Sequence, residues 1–403
     1  MLVKRVFSSL VYKQLYFITS LVILVSLFKL LDPEQYFYYG SLSIVFLFLR
    51  NVIDTIAIQL YLNYKVDSFK NKLIFFLVVL NTLILFVLDL SIEHKLLGSI
   101  TLIFSYYLAG KCVPYICFLN VNADYRGYNI VTSVSEALSF CLFVAFKEQL
   151  MFAILLKNIS YFVFQLLLYK VFVKIDNLKF QAIANKVVVE FGLFFIFNFF
   201  SKNLDKIIVS LLFGNIAFSL YERSMALVRA VISVFSFSIA PALLLSLKEI
   251  EDGKLTWLYI KYQQVLFMFA LLVLIIYKLT IPYFILYIGN DWSEIVMYLD
   301  GLLLAFPIML MIGNTSQFYL NQSETRLNLI SAILSFMAVM LYMLLASYLF
   351  NDFEDVIKYL FIPFFINLVQ VNYLYFIKIR RESYFLFILS ITIQTIYFIL
   401  CLI

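Results

Sequence analysis

Of 403 residues, 64% are hydrophobic and only 13% are charged, and the mean hydropathy is +0.99, which excludes a soluble globular chain. The formal net charge of +6 is dispersed over short loops, a pattern that suits cytoplasmic connectors beside anionic lipid and not a nucleic-acid surface. Four cysteines inside apolar runs and a single histidine, His94, offer neither zinc-ligand spacing nor a disulfide framework.

Taken in chain order, the apolar runs predict an all-α polytopic membrane protein. Val11–Leu31, Tyr36–Leu62, Leu73–Leu90 and Leu96–Leu119 are each long enough, at about 1.5 Å per residue, to cross roughly 30 Å of hydrocarbon. Eight more follow near Ile130–Phe146, Leu150–Val173, Val187–Leu211, Phe218–Leu245, Tyr259–Leu286, Ile295–Tyr319, Leu327–Phe350 and Val356–Ile379, making twelve. Tyr384–Ile403 is a last apolar run, either a thirteenth span or a segment packed against the bundle. The first run is a full span without a small-residue cleavage site, so it reads as a retained helix and not as a signal peptide.

Loop charges set the expected orientation. Lys4, Arg5, Lys13, Lys65, Lys70, Lys72, Arg126, Lys174, Lys179, Lys186, Lys248, Lys254, Arg326, Lys378, Arg380 and Arg381 alternate onto one face, which is read as cytoplasmic together with the N-terminus. The opposite loops carry mainly acids, among them Asp32, Glu34, Glu93, Glu148, Asp291, Glu294 and Asp352. Every connector is short, about thirteen residues at most, so no soluble catalytic domain is expected.

Two weak internal matches divide the chain. At a spacing of 200, Phe118, Asp124, Arg126 and Ile130 match Phe318, Glu324, Arg326 and Ile330, in the turns joining spans four to five and ten to eleven. LDPEQYFYYGSL from Leu31 runs parallel to FGNIAFSLYERS from Phe213, each ahead of the second span of its half. The expected organisation is a six-helix lobe over residues 1–180 and a second over 181–403 comprising spans seven to twelve plus 384–403. With an even helix count the halves relate by an axis along the membrane normal, a transporter arrangement.

The most informative segment is NLDKIIVSLLFGNIAFSLYERSMALV from Asn203, an apolar stretch that carries Asp205, Lys206, Glu222 and Arg223, with Arg229 one residue beyond it. A charge near the bilayer centre costs about 2.5–3.5 kcal/mol on insertion scales, so these side chains must face water, protein or an ionic ligand. Arg50 and Asp54 sit one turn apart and can pair. Lys202, Asp205 and Lys206 share a face, and Glu222 and Arg229 align two turns apart while Arg223 projects elsewhere. Lys29, Lys111, Glu136, Lys157 and Lys278 complete an inventory at depth in which cations exceed carboxylates. Snorkelling toward the interface remains open for Lys202 and Glu222.

The segment from Asn203, followed by Pro241, resembles the "D-K-I-I, small apolar run, G, then Y" stretch of polysaccharide exporters of the multidrug/oligosaccharidyl-lipid/polysaccharide superfamily, most closely the Wzx-type O-antigen flippases. LDPEQYFYYGSLSIVFLFLRNVID from Leu31 resembles the matching element of that family's first lobe. The resemblance implies two pseudo-symmetric six-helix lobes around a V-shaped cavity in the bacterial inner membrane. It implies alternating-access flipping of an undecaprenyl-diphosphate-linked oligosaccharide to the periplasmic leaflet, alongside other polysaccharide-assembly proteins of the membrane.

It further implies that Arg50, Lys206, Arg223 and Arg229 bind the diphosphate, with Lys29 and Lys111 as secondary candidates for which an interfacial or packing role is equally open. Asp54, Glu136, Asp205 and Glu222 are candidates for H+ or Na+ coupling or for structural ion pairs. No cofactor is expected: Gly110-Lys111 lacks the rest of a phosphate-binding loop. A cation-drug exporter should line its path with carboxylates, and an O-antigen polymerase should carry a large periplasmic loop, so both stand behind the flippase.

Overall fold

In hydrocarbon the backbone has no water to bond, so an apolar run must close its own hydrogen bonds as a helix. The computed structural model describes residues 2–51, 78–79, 81–86, 90–121, 125–173, 185–249, 252–321, 325–350, 352–379 and 384–402, and among them helices account for the regular structure. Eight described helical stretches are long and apolar enough to cross a membrane, consistent with a multi-pass membrane protein. Of the expected span Tyr36–Leu62 the part after Asn51 lies outside the described residues, and of Leu73–Leu90 only 78–79, 81–86 and 90 lie inside them.

The chain divides into two compact units, Met1–Phe195 and Ile196–Ile403. The first contains α1 (Leu2–Leu30), α2 (Pro33–Asn51), α3 (Ile92–Val121), α4 (Tyr125–Ala145) and α5 (Leu150–Phe172). The start of α2 is written locally. Asp32 accepts a hydrogen bond from the Gln35 amide at 2.8 Å, and Pro33 fills the first helical position, where a missing N–H costs nothing. Thr101 bonds back one turn to the Leu97 carbonyl and Ser133 to that of Asn129, so these two hydroxyls add no unsatisfied group. α4 packs on α1 and α5, and α5 also packs on α3. Phe46, Phe48, Leu49, Leu102, Ala109, Phe143 and Ile154 are fully enclosed there.

α6 (Asn185–Glu249) begins in the first unit and breaks at Gly214, whose φ of +87° and ψ of 179° are open only to glycine. The side-chain contacts across the break show what it does. Asp205 meets Tyr221, Lys206 meets Glu222 and Asn203 meets Arg229, pairs whose separations of 16, 16 and 26 residues all bracket Gly214. In a continuous helix, residues 16 apart lie about 24 Å from each other, so the chain must fold back at Gly214 into an antiparallel pair. Spans seven and eight are therefore present, with the turn inside the expected gap between Leu211 and Phe218.

The second unit continues with α7 (Asp252–Ile288), α8 (Ile295–Asn321), α9 (Thr325–Leu349), α10 (Phe353–Lys358) and α11 (Phe361–Tyr373), which runs on as a π-helical turn over Leu374–Ile379, and ends in α12 (Tyr384–Leu402). α8 is central: it packs against α7, α10, α11 and α12, and Ile308 and Met311 enter a core with Phe267, Leu368 and Phe398. α8 ends at Asn321 and α9 begins at Thr325, as α3 ends at Val121 and α4 begins at Tyr125, so the helix boundaries repeat at the same spacing of 200.

The final apolar run is a helix docked into the second unit by a buried amide network. Asn372 donates to Gln394 at 2.9 Å and accepts from Tyr259 at 3.0 Å and from Ser390 at 3.2 Å, all four side chains being buried. With no water to compete, such a network fixes the α12 register against α7 and α11.

α8 and α10 approach closely at Gly301, where an added Cβ would lie 2.4 Å from Cγ2 of Ile357 and 3.3 Å from its carbonyl carbon. Gly301→Ala is expected to lower stability by about 1–3 kcal/mol through this overpacking. A detergent thermal melt checks this, and an unchanged melting temperature would refute the close contact.

Candidate functional site

An apolar segment can bury a charge only by bringing it a partner, and the described partners form one cluster in each unit. In the first, Arg50 from the end of α2 donates through Nη1 to Oε2 of Glu136 on α4 at 2.6 Å. Lys157 on α5 approaches the other oxygen of Glu136, Oε1, at 3.6 Å. The Arg50 guanidinium lies 3.6 Å above the Tyr161 ring, and the Lys157 ammonium 5.0 Å from the Tyr39 ring. The negative faces of these rings add attraction to each cation without neutralising it. Arg50 keeps 16% of its side chain exposed, against 9% for Glu136 and 7% for Lys157.

The second cluster straddles the Gly214 turn. Lys206 donates to Glu222 at 2.8 Å, with 3% and 12% of the two side chains exposed. The Tyr221 hydroxyl donates to Oδ2 of Asp205 at 2.5 Å, and Arg229 donates to Oδ1 of Asn203 at 3.2 Å. Arg223 is among the largest fully buried side chains. The expected alignment of Glu222 with Arg229 has a physical consequence: both side chains reach the opposite arm of the hairpin.

Charge counting within each unit is simple. Arg50 and Lys157 face Glu136 in the first; Lys206 and Arg229 accompany Asp205 and Glu222 in the second. The first cluster therefore carries one cation more than carboxylates among the described residues, while the second sets two cations beside two carboxylates. In the first cluster one positive charge remains beyond its carboxylate partner, and an anion would relieve it.

Several candidates sit differently from expectation. Arg50 pairs with Glu136, 86 residues away in sequence, while Asp54, its expected helical neighbour, lies outside the described residues. Lys29 and Lys111 are exposed on their helices, Lys111 lying 5.3 Å from the Tyr107 ring, and neither joins a described cluster. Lys278 is likewise exposed, and the Lys202 side chain lies outside the described set. Lys157 entered the sequence inventory without a site role, yet it completes the first cluster. Tyr39, Tyr161, Tyr221 and Asn203 had no signal of their own, with one exception: Tyr39 and Tyr221 occupy the same position in the internal match from Leu31 and Phe213, and each touches its unit's cluster.

No family model matches the chain, and no curated protein matches it in sequence. Solved structures do. The inward closed conformation of the lipid II flippase MurJ superposes with a TM-score of 0.69 at 16% identity, over 97% of each chain. An inward-facing multidrug resistance MATE family transporter of the MOP superfamily superposes with a TM-score of 0.50 at 14% identity, over 96% of this chain and 98% of that one. At these identities the likeness establishes the two-lobed, all-helical fold.

Proposed function

We propose that the protein is a flippase that carries undecaprenyl-diphosphate-linked O-antigen or related polysaccharide repeat units from the cytoplasmic to the periplasmic leaflet of the bacterial inner membrane by alternating access. The observation that carries this reading is the excess of one cation over carboxylate in the first unit's cluster of Arg50, Lys157 and Glu136. A lipid diphosphate brings about two negative charges, and arginine offers the planar fork suited to phosphate oxygens. Arg50, Lys206, Arg223 and Arg229 are the residues assigned to the headgroup, with exposed Lys29 and Lys111 as auxiliary cations.

The fold shared with a lipid II flippase supports a lipid-linked cargo, and the distribution of loop lysines and arginines supports a cytoplasmic N-terminus. Such a protein moves its cargo without covalent chemistry, and no cofactor enters the scheme. The inside-negative potential drives the anion outward by about 2.3 kcal/mol per charge at 100 mV. H+ or Na+ exchange through Asp54, Glu136, Asp205 or Glu222 is the alternative drive. The MATE-type neighbour supports a second reading, export of a cationic small molecule, which the surplus cation of the first cluster disfavours.

Reconstitution separates these readings. Proteoliposomes are expected to flip an undecaprenyl-diphosphate-linked oligosaccharide, faster under an imposed inside-negative potential, and to leave a cationic dye in place. Dye efflux without lipid flipping would replace the proposal with the exporter. In cells, loss of the gene is expected to trap lipid-linked repeat units on the cytoplasmic leaflet and to deplete surface polysaccharide.

A further inference from the structure

Glu136 stands between two cations that share it. Its Oε2 accepts from Arg50 at 2.6 Å and its Oε1 faces the Lys157 ammonium at 3.6 Å, so the two positive groups are set apart by the width of one carboxylate. Among the described residues each cation also meets a ring, Tyr161 under the guanidinium and Tyr39 beside the ammonium. A ring face attracts a cation but leaves its N–H groups short of acceptors. Arg50 Nη2 is buried and makes no hydrogen bond with any described residue. The cluster thus has a fixed cationic frame, a spare donor, and a single small anion that three different helices converge upon.

We propose that Glu136 is a built-in stand-in for the cargo's phosphate: in the unloaded lobe it occupies Arg50 and Lys157, and loading exchanges it for phosphate oxygens of the lipid diphosphate, with Lys157 as a further phosphate ligand. The inference rests on the flippase reading and specifies how its first lobe recognises the headgroup. A carboxylate and a phosphate oxygen pair present similar acceptors to a guanidinium fork. Without a resident anion the empty lobe would hold two uncompensated buried cations, which is strongly destabilising. With one, binding becomes an exchange of anions, and release is equally accessible because Glu136 competes for the site. A transporter needs that reversibility, since cargo held too tightly is never delivered. Arg50, the most exposed of the three side chains, is where the incoming phosphate first engages.

The test is binding of undecaprenyl diphosphate to the purified full chain in detergent, with undecaprenol as the phosphate-free control. Glu136→Gln removes the competing charge with little change of shape, and the expected result is an affinity for undecaprenyl diphosphate raised about tenfold or more, unchanged affinity for undecaprenol, and slower turnover in proteoliposomes. Glu136→Asp keeps the charge for folding but draws the carboxylate back from both cations, and it is expected to shift affinity in the same direction by less. Lys157→Gln is expected to lose the preference for the diphosphate lipid.

A carboxylate that merely orients Arg50 predicts the opposite sign. If both Glu136 variants bind undecaprenyl diphosphate no more tightly than the wild type, or if Lys157→Gln keeps full affinity, the exchange is overturned while the flippase reading stands. If the wild type fails to prefer the diphosphate over undecaprenol, the flippase reading itself falls.

Discussion

Glu222→Ala is expected to cost about 3–5 kcal/mol of folding stability and to deplete folded protein from the membrane, because it strands a buried ammonium. The Lys206 side chain is only 3% exposed, and its ammonium sits 2.8 Å from Glu222. The adjacent carboxylate, Asp205, is already engaged by the Tyr221 hydroxyl. The two residues also join the arms of the hairpin on either side of Gly214, so the loss acts on tertiary structure and not only on a local charge. Removing both charges, as in Lys206→Met combined with Glu222→Met, is expected to recover most of the folded yield, since a buried pair is often replaceable by apolar side chains of similar volume. The measurement is folded fraction by size-exclusion chromatography with a detergent thermal melt. A Glu222→Ala protein that melts like the wild type would show that Lys206 finds other compensation.

Much of the scaffold was legible because the bilayer imposes length and polarity on each element separately. Spans of about twenty apolar residues, short connectors and the cap at Asp32-Pro33 are local signals, and the folded helices follow them. The reversal at Gly214 was legible for the same reason: its phi-positive backbone needs glycine, and the apolar pattern lapses there. The cluster partners were not legible. Arg50 and Glu136 are 86 residues apart, so helical spacing favoured Asp54 as the partner of Arg50, and only packing of α2 against α4 and α5 could choose otherwise.

Neutral groups were harder still. Among 29 tyrosines nothing in the sequence singles out Tyr161 as the platform for Arg50. The amide network of Asn372, Ser390 and Gln394 contains no ionisable group to mark it, although amides inside apolar runs obey the same rule and carry the same signal. That network answers how the last apolar run is held, which hydropathy alone left undecided.

The clusters differ in how much of their structure depends on the candidate ligand residue, and this makes Arg50→Ala and Arg229→Ala informative in a way that Glu222→Ala is not. When Arg50 is removed, Glu136 keeps Lys157 at 3.6 Å, so no buried charge is abandoned. When Arg229 is removed, Asn203 keeps its bond to the Phe199 carbonyl at 3.0 Å. Both variants are therefore expected to insert and fold near wild-type levels. Transport is expected to fall by about 10- to 100-fold in each, the equivalent of losing one charge-assisted hydrogen bond of roughly 1.5–3 kcal/mol to the moving phosphate. Arg50→Lys restores the charge but not the planar fork stacked on Tyr161, so it is expected to recover flipping only in part. The readout is flipping rate in proteoliposomes normalised to folded protein, with surface glycan as the cellular counterpart. Normal glycan in both alanine variants would remove Arg50 and Arg229 from the headgroup site and leave their clusters as structural ion pairs.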